Sequence, residues 1–277
     1  MDDRPIGMFD SGFGGLTVAR AVIDLLPHEE IVYLGDTGRY PYGPRPLFEV
    51  ELFAHQIADH LVNELGAKVL IVACNTAAAA ALDSLQERFD VPVVGVIDPG
   101  VRAVVSATGN GRVGVIGTVG TINSGAYQRA VADVAPHVEL PALACPGFVE
   151  FVERGETSSE QVQVLAERLL APAVEAEVDS LLLGCTHYPY LARTIGDVMG
   201  RDVVLVSSAD ETAFEVRRIL ESSGSVRRSG DLPPVPTFLT TGDVAWFTDL
   251  GSKLLGPELA TAQRVDWGCP RLSASVS

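Results

Sequence analysis

The stretch Val69-Leu70-Ile71-Val72-Ala73-Cys74-Asn75-Thr76-Ala77 reads as a buried strand that ends at a cysteine, with an alanine-rich helix starting just beyond it. A second copy stands later in the chain. Leu181-Leu182-Leu183 leads into Gly184-Cys185-Thr186-His187-Tyr188-Pro189. In each copy a thiol sits at the C-terminal end of a strand, with a threonine close behind. The two thiols are expected to face each other across one site.

The same alternation continues outward from both copies. Arg4 to Phe9 reads as a strand running into the turn Asp10-Ser11-Gly12-Phe13-Gly14-Gly15 and a helix from Leu16. Ile31 to Leu34 is a strand that meets a long Pro- and Gly-rich loop over residues 35–44, and Leu47 to Leu65 is one helix. A strand is expected over Val91 to Ile97 and a helix from Val101. A strand from Arg112 runs into Gly117-Thr118, a helix covers Ser124 to Val134, and a strand His137 to Ala144. Glu150 and Glu153 fall on a helical turn, and Ser159 to Glu175 is a long amphipathic helix. Beyond Pro189 come a helix to Met199, a strand Val203 to Val206, a helix Asp210 to Glu221, a strand Phe238 to Thr240 and a helix Asp243 to Leu255.

This order predicts an α/β protein of two similar three-layer lobes with mainly parallel sheets. The turn–strand–Cys pattern occurs once per half, so the lobes are expected to be pseudo-twofold related, with the active site in the cleft between them. The first lobe is expected at 1–97 plus 208–277 and the second at 98–207. Ligands of such sheets sit beyond the carboxyl ends of the strands, where every motif quoted above lies.

The composition narrows the functional classes. The chain has 277 residues, nearly half of them hydrophobic, and a formal net charge of −16. No basic face for nucleic acid is visible. No apolar run approaches a membrane span, and Met1-Asp2-Asp3-Arg4-Pro5 lacks the features of a signal peptide. A cytoplasmic enzyme with neither nucleic acid nor membrane as partner is expected. The acidic balance would repel an anionic substrate, so a bound anion needs local dipoles. The four cysteines, Cys74, Cys145, Cys185 and Cys269, show neither disulfide nor zinc spacing, and a lone Cys-x-His is not a metal-ligand set. Cys145 and Cys269 are read as small core residues.

A cysteine at a helix N-terminus is expected to have a lowered pKa and to serve as a base near neutral pH. Two such thiols on opposite faces of a planar carbanion would remove a proton from one side and deliver one from the other, inverting a stereocentre. His187, two residues from Cys185, suits acid–base work. Two other readings stay open on these residues alone: a two-lobed amino-acid-binding protein without chemistry, and a redox couple.

Several motifs, in order along essentially the whole chain, resemble glutamate racemase. They are Phe9-Asp10-Ser11-Gly12 with Gly14-Gly15-Leu16-Thr17-Val18, Gly35-Asp36-Thr37 with Pro41-Tyr42-Gly43, Ala73-Cys74-Asn75-Thr76-Ala77, Gly117-Thr118 with Thr121, Cys145-Pro146 with Phe148-Val149 and Val152-Glu153, and Leu183-Gly184-Cys185-Thr186-His187-Tyr188-Pro189. The resemblance implies a cofactor-independent racemase that interconverts L- and D-glutamate and supplies D-glutamate for peptidoglycan. An aspartate racemase of the same superfamily is the near alternative. It implies Cys74 and Cys185 as the two proton carriers, Asp10 and His187 as their partners, and Asp36 and Glu153 as further carboxylates of the site. Ser11, Tyr42, Gly43, Asn75, Thr76, Thr118, Thr121 and Thr186, with Asp10 and His187, match positions that hold the substrate. The resemblance also brings in a homodimer and, for some members, DNA gyrase as a protein partner, of which the residues themselves give no sign. Gly147 stands where a larger apolar residue is expected and Glu150 where a proline is. Without the N-terminal segment that carries precursor activation in some members, no such activation is expected.

Overall fold

The computed structural model describes residues 1–228, 230 and 232–266. Cys269 lies outside them. In chain order the elements are β1 (Ile6–Asp10), α1 (Leu16–Leu25), β2 (Ile31–Gly35), α2 (Leu47–Asp59), β3 (Val69–Val72), α3 (Asn75–Arg88), β4 (Val93–Gly95), α4 (Ile97–Ala107), β5 (Val113–Gly117), α5 (Val119–Asn123) and α6 (Ala126–Val134). They continue with β6 (Ala142–Ala144), α7 (Phe148–Glu153), α8 (Glu160–Glu175), β7 (Ser180–Gly184), α9 (Ala192–Met199), β8 (Val204–Ser207), α10 (Ala209–Ser223), β9 (Thr237–Thr240), α11 (Val244–Leu255) and β10 (Gln263–Arg264).

Two parallel sheets form two α/β lobes. One has the order β10-β9-β2-β1-β3-β4 and the other β6-β5-β7-β8. Without β9 and β10, both sheets follow one order: second, first, third, fourth strand of the half. Cys74 therefore follows the third strand of one sheet and Cys185 the third strand of the other. Asp10, which closes β1, with Ser11, and Thr118, just after β5, mark the ends of the two first strands in the same way. The central strands β1, β3, β5 and β7 are buried along their whole length. Apart from Asp10 at the end of β1 and Ser180 at the start of β7 they are apolar rather than alternating, because helices cover both faces.

Gly7, on β1, allows a close approach of the segment before β3: a Cβ there would stand 2.9 Å from Ala67 Cβ and 3.2 Å from Cβ of Leu61. At the N-terminal end of the first sheet, Lys68 Nζ and Glu29 Oε2 form a buried pair at 2.6 Å. The same ammonium donates to the carbonyls of Asp2 and Ser225. It thereby ties the chain start and the segment after α10 to β3.

Several boundaries differ from the sequence reading. The helix expected over 47–65 ends as α at Asp59, and its last turn widens into a π-helix, His60–Glu64. The strand expected over 91–97 is only β4, because α4 already begins at Ile97. Pro99 lies in the first turn of that helix, where its missing N–H has no intrahelical acceptor to lose. Gly100 follows there because a Cβ would stand 3.0 Å from Ser208 Cβ and 3.1 Å from Leu182 Cδ1. The strand expected over 137–144 shrinks to β6. Pro141 cannot donate to the ladder, and upstream of it only a bridge between Arg112 and Glu139 remains. Neither α5 nor β10 was expected.

Candidate active site

Cys74 and Cys185 line one cavity of about 90 Å³ between the lobes, at the C-terminal ends of both sheets. Cys74 is the N-cap of α3. Its Sγ accepts the Ala77 N–H at 3.5 Å and lies 3.8 Å from Ser11 Oγ. Cys185 Sγ lies 3.9 Å from Nδ1 of His187, and Nε2 of the same ring lies 3.0 Å from Glu153 Oε1. Both cysteines are 5% exposed, so bulk water barely reaches either sulfur.

The lowered thiol pKa expected from the helix dipole is reversed at Cys74. Burial pushes the thiol up to about 12, the Asp10 carboxylate adds to the rise, and the Ala77 N–H offsets only part of it. Cys185 is followed by a single 3₁₀ turn, Tyr188–Leu191, and so does not cap an α-helix at all. Its partner is His187. Burial works against charge on that ring, but contact with Cys185 and Glu153 outweighs it, and Asp10 contributes further. His187 is pushed up to about 10, which favours the imidazolium.

The cavity wall brings together most of the expected residues: Ser11, Tyr42, Gly43, Asn75, Thr76, Thr118, Thr186 and His187, with the two cysteines. Among the described residues, no Lys or Arg lines it. Hydroxyls from both lobes meet here. Thr76 Oγ1 is 3.0 Å from Thr118 Oγ1 and 3.1 Å from Thr121 Oγ1. Asn75 Nδ2 donates to Tyr127 OH at 2.7 Å, while Asn75 Oδ1 is buried with no partner. The N–H groups that open α3 have no intrahelical acceptor and add positive potential at this point.

Four of the expected residues stand behind the wall rather than on it. Asp10 is fully buried, accepts the Gly12 N–H at 2.8 Å and the Thr186 hydroxyl at 3.2 Å. Burial raises its pKa against the pull of His187 and these donors. Asp36 accepts from Arg39 Nε at 2.7 Å, from Thr241 Oγ1 at 2.6 Å and from the Tyr42 hydroxyl. It thus fixes the loop that carries Tyr42 and Gly43 over the cavity. Thr121 supports Thr76 and Thr118, and Glu153 supports His187.

Residues that sequence reasoning did not place at the site include Tyr40, Val119, Cys145, Val149 and Glu150. Cys145 is buried in the core of the second lobe, yet one face lines the cavity. Gly147 takes a positive φ of 95°, and a Cβ there would point at Leu165 Cδ2, 3.0 Å away. Backbone conformation thus accounts for the glycine where a larger residue was expected.

A family model described as Asp/Glu/Hydantoin racemase matches residues 16–215. The glutamate racemase of Parafrankia sp. (strain EAN1pec) is 52% identical over 276 residues, covering 100% of this chain and 99% of that protein. A crystal structure of a glutamate racemase isoform from Bacillus anthracis superposes with a TM-score of 0.91 at 41% identity, covering 96% of this chain and 99% of that one. The glutamate racemase of Francisella tularensis, solved in complex with D-glutamate, gives 0.89 at 33% identity over 96% of this chain and 98% of that one. The chain belongs to the Asp/Glu/hydantoin racemase family, and within it to the glutamate racemases.

Proposed function

We propose that this racemase interconverts L- and D-glutamate by a two-thiol proton transfer, in which Cys74 and Cys185 address opposite faces of the α-carbon. One observation carries the reading: two sulfurs from two sheets, at equivalent strand ends, line a single cavity. The substrate follows from the relatives' names and from the relative solved with D-glutamate.

In the proposed step one cysteine, as thiolate, takes the α-proton. The C–H bond breaks, an S–H bond forms, and the electron pair spreads into the α-carboxylate. The opposite thiol gives its proton to the other face of the carbon and is left as thiolate. Thr76, Thr118 and the N–H groups opening α3 are positioned to hold the carboxylate as its charge grows. Asn75 Oδ1 and Ser11 suit the ammonium. The burial-raised pKa of Cys74 favours it as the proton donor of the resting site, and His187 offers its Nδ1–H to Cys185. The reverse direction exchanges the two roles. The D-enantiomer so formed is the one that peptidoglycan synthesis consumes.

The test is incubation of either glutamate enantiomer in D₂O without added pyridoxal phosphate or metal, followed by NMR. Racemisation with deuterium at the α-carbon is expected, and no exchange would overturn the reading. Cys74→Ala and Cys185→Ala should each abolish racemisation. With β-chloro glutamate analogues, whose elimination needs one base only, each variant should lose mainly one enantiomer. Equal loss of both by both variants contradicts two opposed bases.

A further inference from the structure

Tyr40 belongs to the loop after β2 and thus to the first lobe. Its ring is set against the Gly12 turn, where a Cβ would stand 3.3 Å from Tyr40 Cδ2. From there it reaches across the cavity to the second lobe. Its ring centroid lies 6.5 Å from that of His187, with the planes 36° apart. The Tyr40 hydroxyl is buried and has no hydrogen-bond partner. Burial acts on it most, and Glu153 is the charged group that acts on it next most strongly, ahead of Glu150 and Cys185. Glu153 gives one oxygen to His187 Nε2 and keeps other lone pairs open to a donor.

We propose that Tyr40 is a positioning residue for Cys185: its hydroxyl, unpaired in this structure, is delivered by the first lobe to the Glu153 carboxylate when the lobes close on substrate, and the bond it then donates holds that carboxylate on His187. The acid–base group of Cys185 is then complete only when the lobes are closed around the cavity. Cys74 has no such dependence, because Ser11 and the start of α3 belong to its own lobe. The proposal rests on the two-thiol reading above.

Tyr40→Phe keeps the ring and removes the donor. The measurement is elimination of chloride from the two enantiomers of a β-chloro glutamate analogue. There one thiolate takes the α-proton, the C–H pair becomes the Cα–Cβ double bond, and chloride leaves. Cys185→Ala identifies the enantiomer that Cys185 serves. For that enantiomer Tyr40→Phe should lower kcat about tenfold with KM within about twofold, and it should leave the other enantiomer within about twofold. In a Glu153→Gln background the same substitution should add less than about twofold, because the group it positions is gone. Equal losses for both enantiomers, no loss for either, or a full effect in the Glu153→Gln background would overturn the proposal. If Cys74→Ala and Cys185→Ala do not separate the enantiomers, the two-thiol reading fails and the proposal falls with it.

Discussion

Asn75 divides one amide between two tasks. Its Nδ2 is committed to Tyr127 OH, across the lobe boundary, which leaves Oδ1 of this cavity-lining residue buried without a partner. A buried acceptor left open costs roughly 1–3 kcal/mol, so a ligand that brings a donor recovers what folding leaves unsatisfied. An ammonium does this; a second carboxylate would not. Asn75→Ala should therefore raise KM for glutamate about tenfold or more and lower kcat less, as steady-state kinetics will show. Tyr127→Phe isolates the orienting bond. It strands the buried Nδ2, so the melting temperature should fall along with affinity, by an amount matching about 1–3 kcal/mol. A Tyr127→Phe enzyme with unchanged KM and unchanged melting temperature would show that the amide needs no such anchor.

Gly14, in the turn between β1 and α1, marks where one lobe touches the other. A Cβ there would stand 2.2 Å from Thr186 Oγ1 and 2.4 Å from His187 Nδ1. Both belong to the second lobe, so Gly14→Ala should push the lobes apart and cost at least about a hundredfold in kcat/KM. The far-UV circular dichroism should stay that of the wild type, because no element is broken. Gly66→Ala is the control: its φ is +72° with nothing within 4 Å, so it should cost stability of about 1 kcal/mol and leave kinetics alone. Elements of this kind explain what the sequence disclosed. Strands ending at Cys74 and Cys185 were legible because apolar runs, β-branching and the residues after them all agree on one local structure. The start of α4 was not, since Ile97-Asp98-Pro99-Gly100 has the composition of a turn and becomes helical only by packing on β7 and α10. Residues 119–123 were hidden by their neighbours in the same way, as Gly117-Thr118 and Gly120-Thr121 look like loop. Half of the cavity wall was readable as site from motifs. Which residues stand on the wall and which behind it was not, because Asp36, Thr121 and Tyr40 gain their roles from contacts with distant elements.

The whole molecule joins its lobes through protons as well as through packing. His187 lies between Asp10, the last residue of β1 in the first lobe, and Glu153 of α7 in the second, and contact with Cys185 first, then with these two carboxylates, favours a proton on the buried ring. The unfolded chain lets that ring go at its ordinary value near 6.5, while the folded protein holds the proton up to about 10. Between these values the native state binds more protons than the unfolded state, so stability falls as pH rises. The contribution of His187 is whole below pH 6.5 and is lost on passing through about 10. Cys74 acts with the same sign in a higher window, since its thiol is pushed from 9.0 to about 12. Urea denaturation followed at pH 6, 8 and 10 should therefore show a steady loss, approaching about 1.4 kcal/mol per pH unit where one proton separates the two states. His187→Gln should flatten the curve between pH 6.5 and 9 and leave the decline above 9 that belongs to Cys74. Parallel curves for the variant and the wild type across the lower window would mean that the ring between the lobes carries no charge.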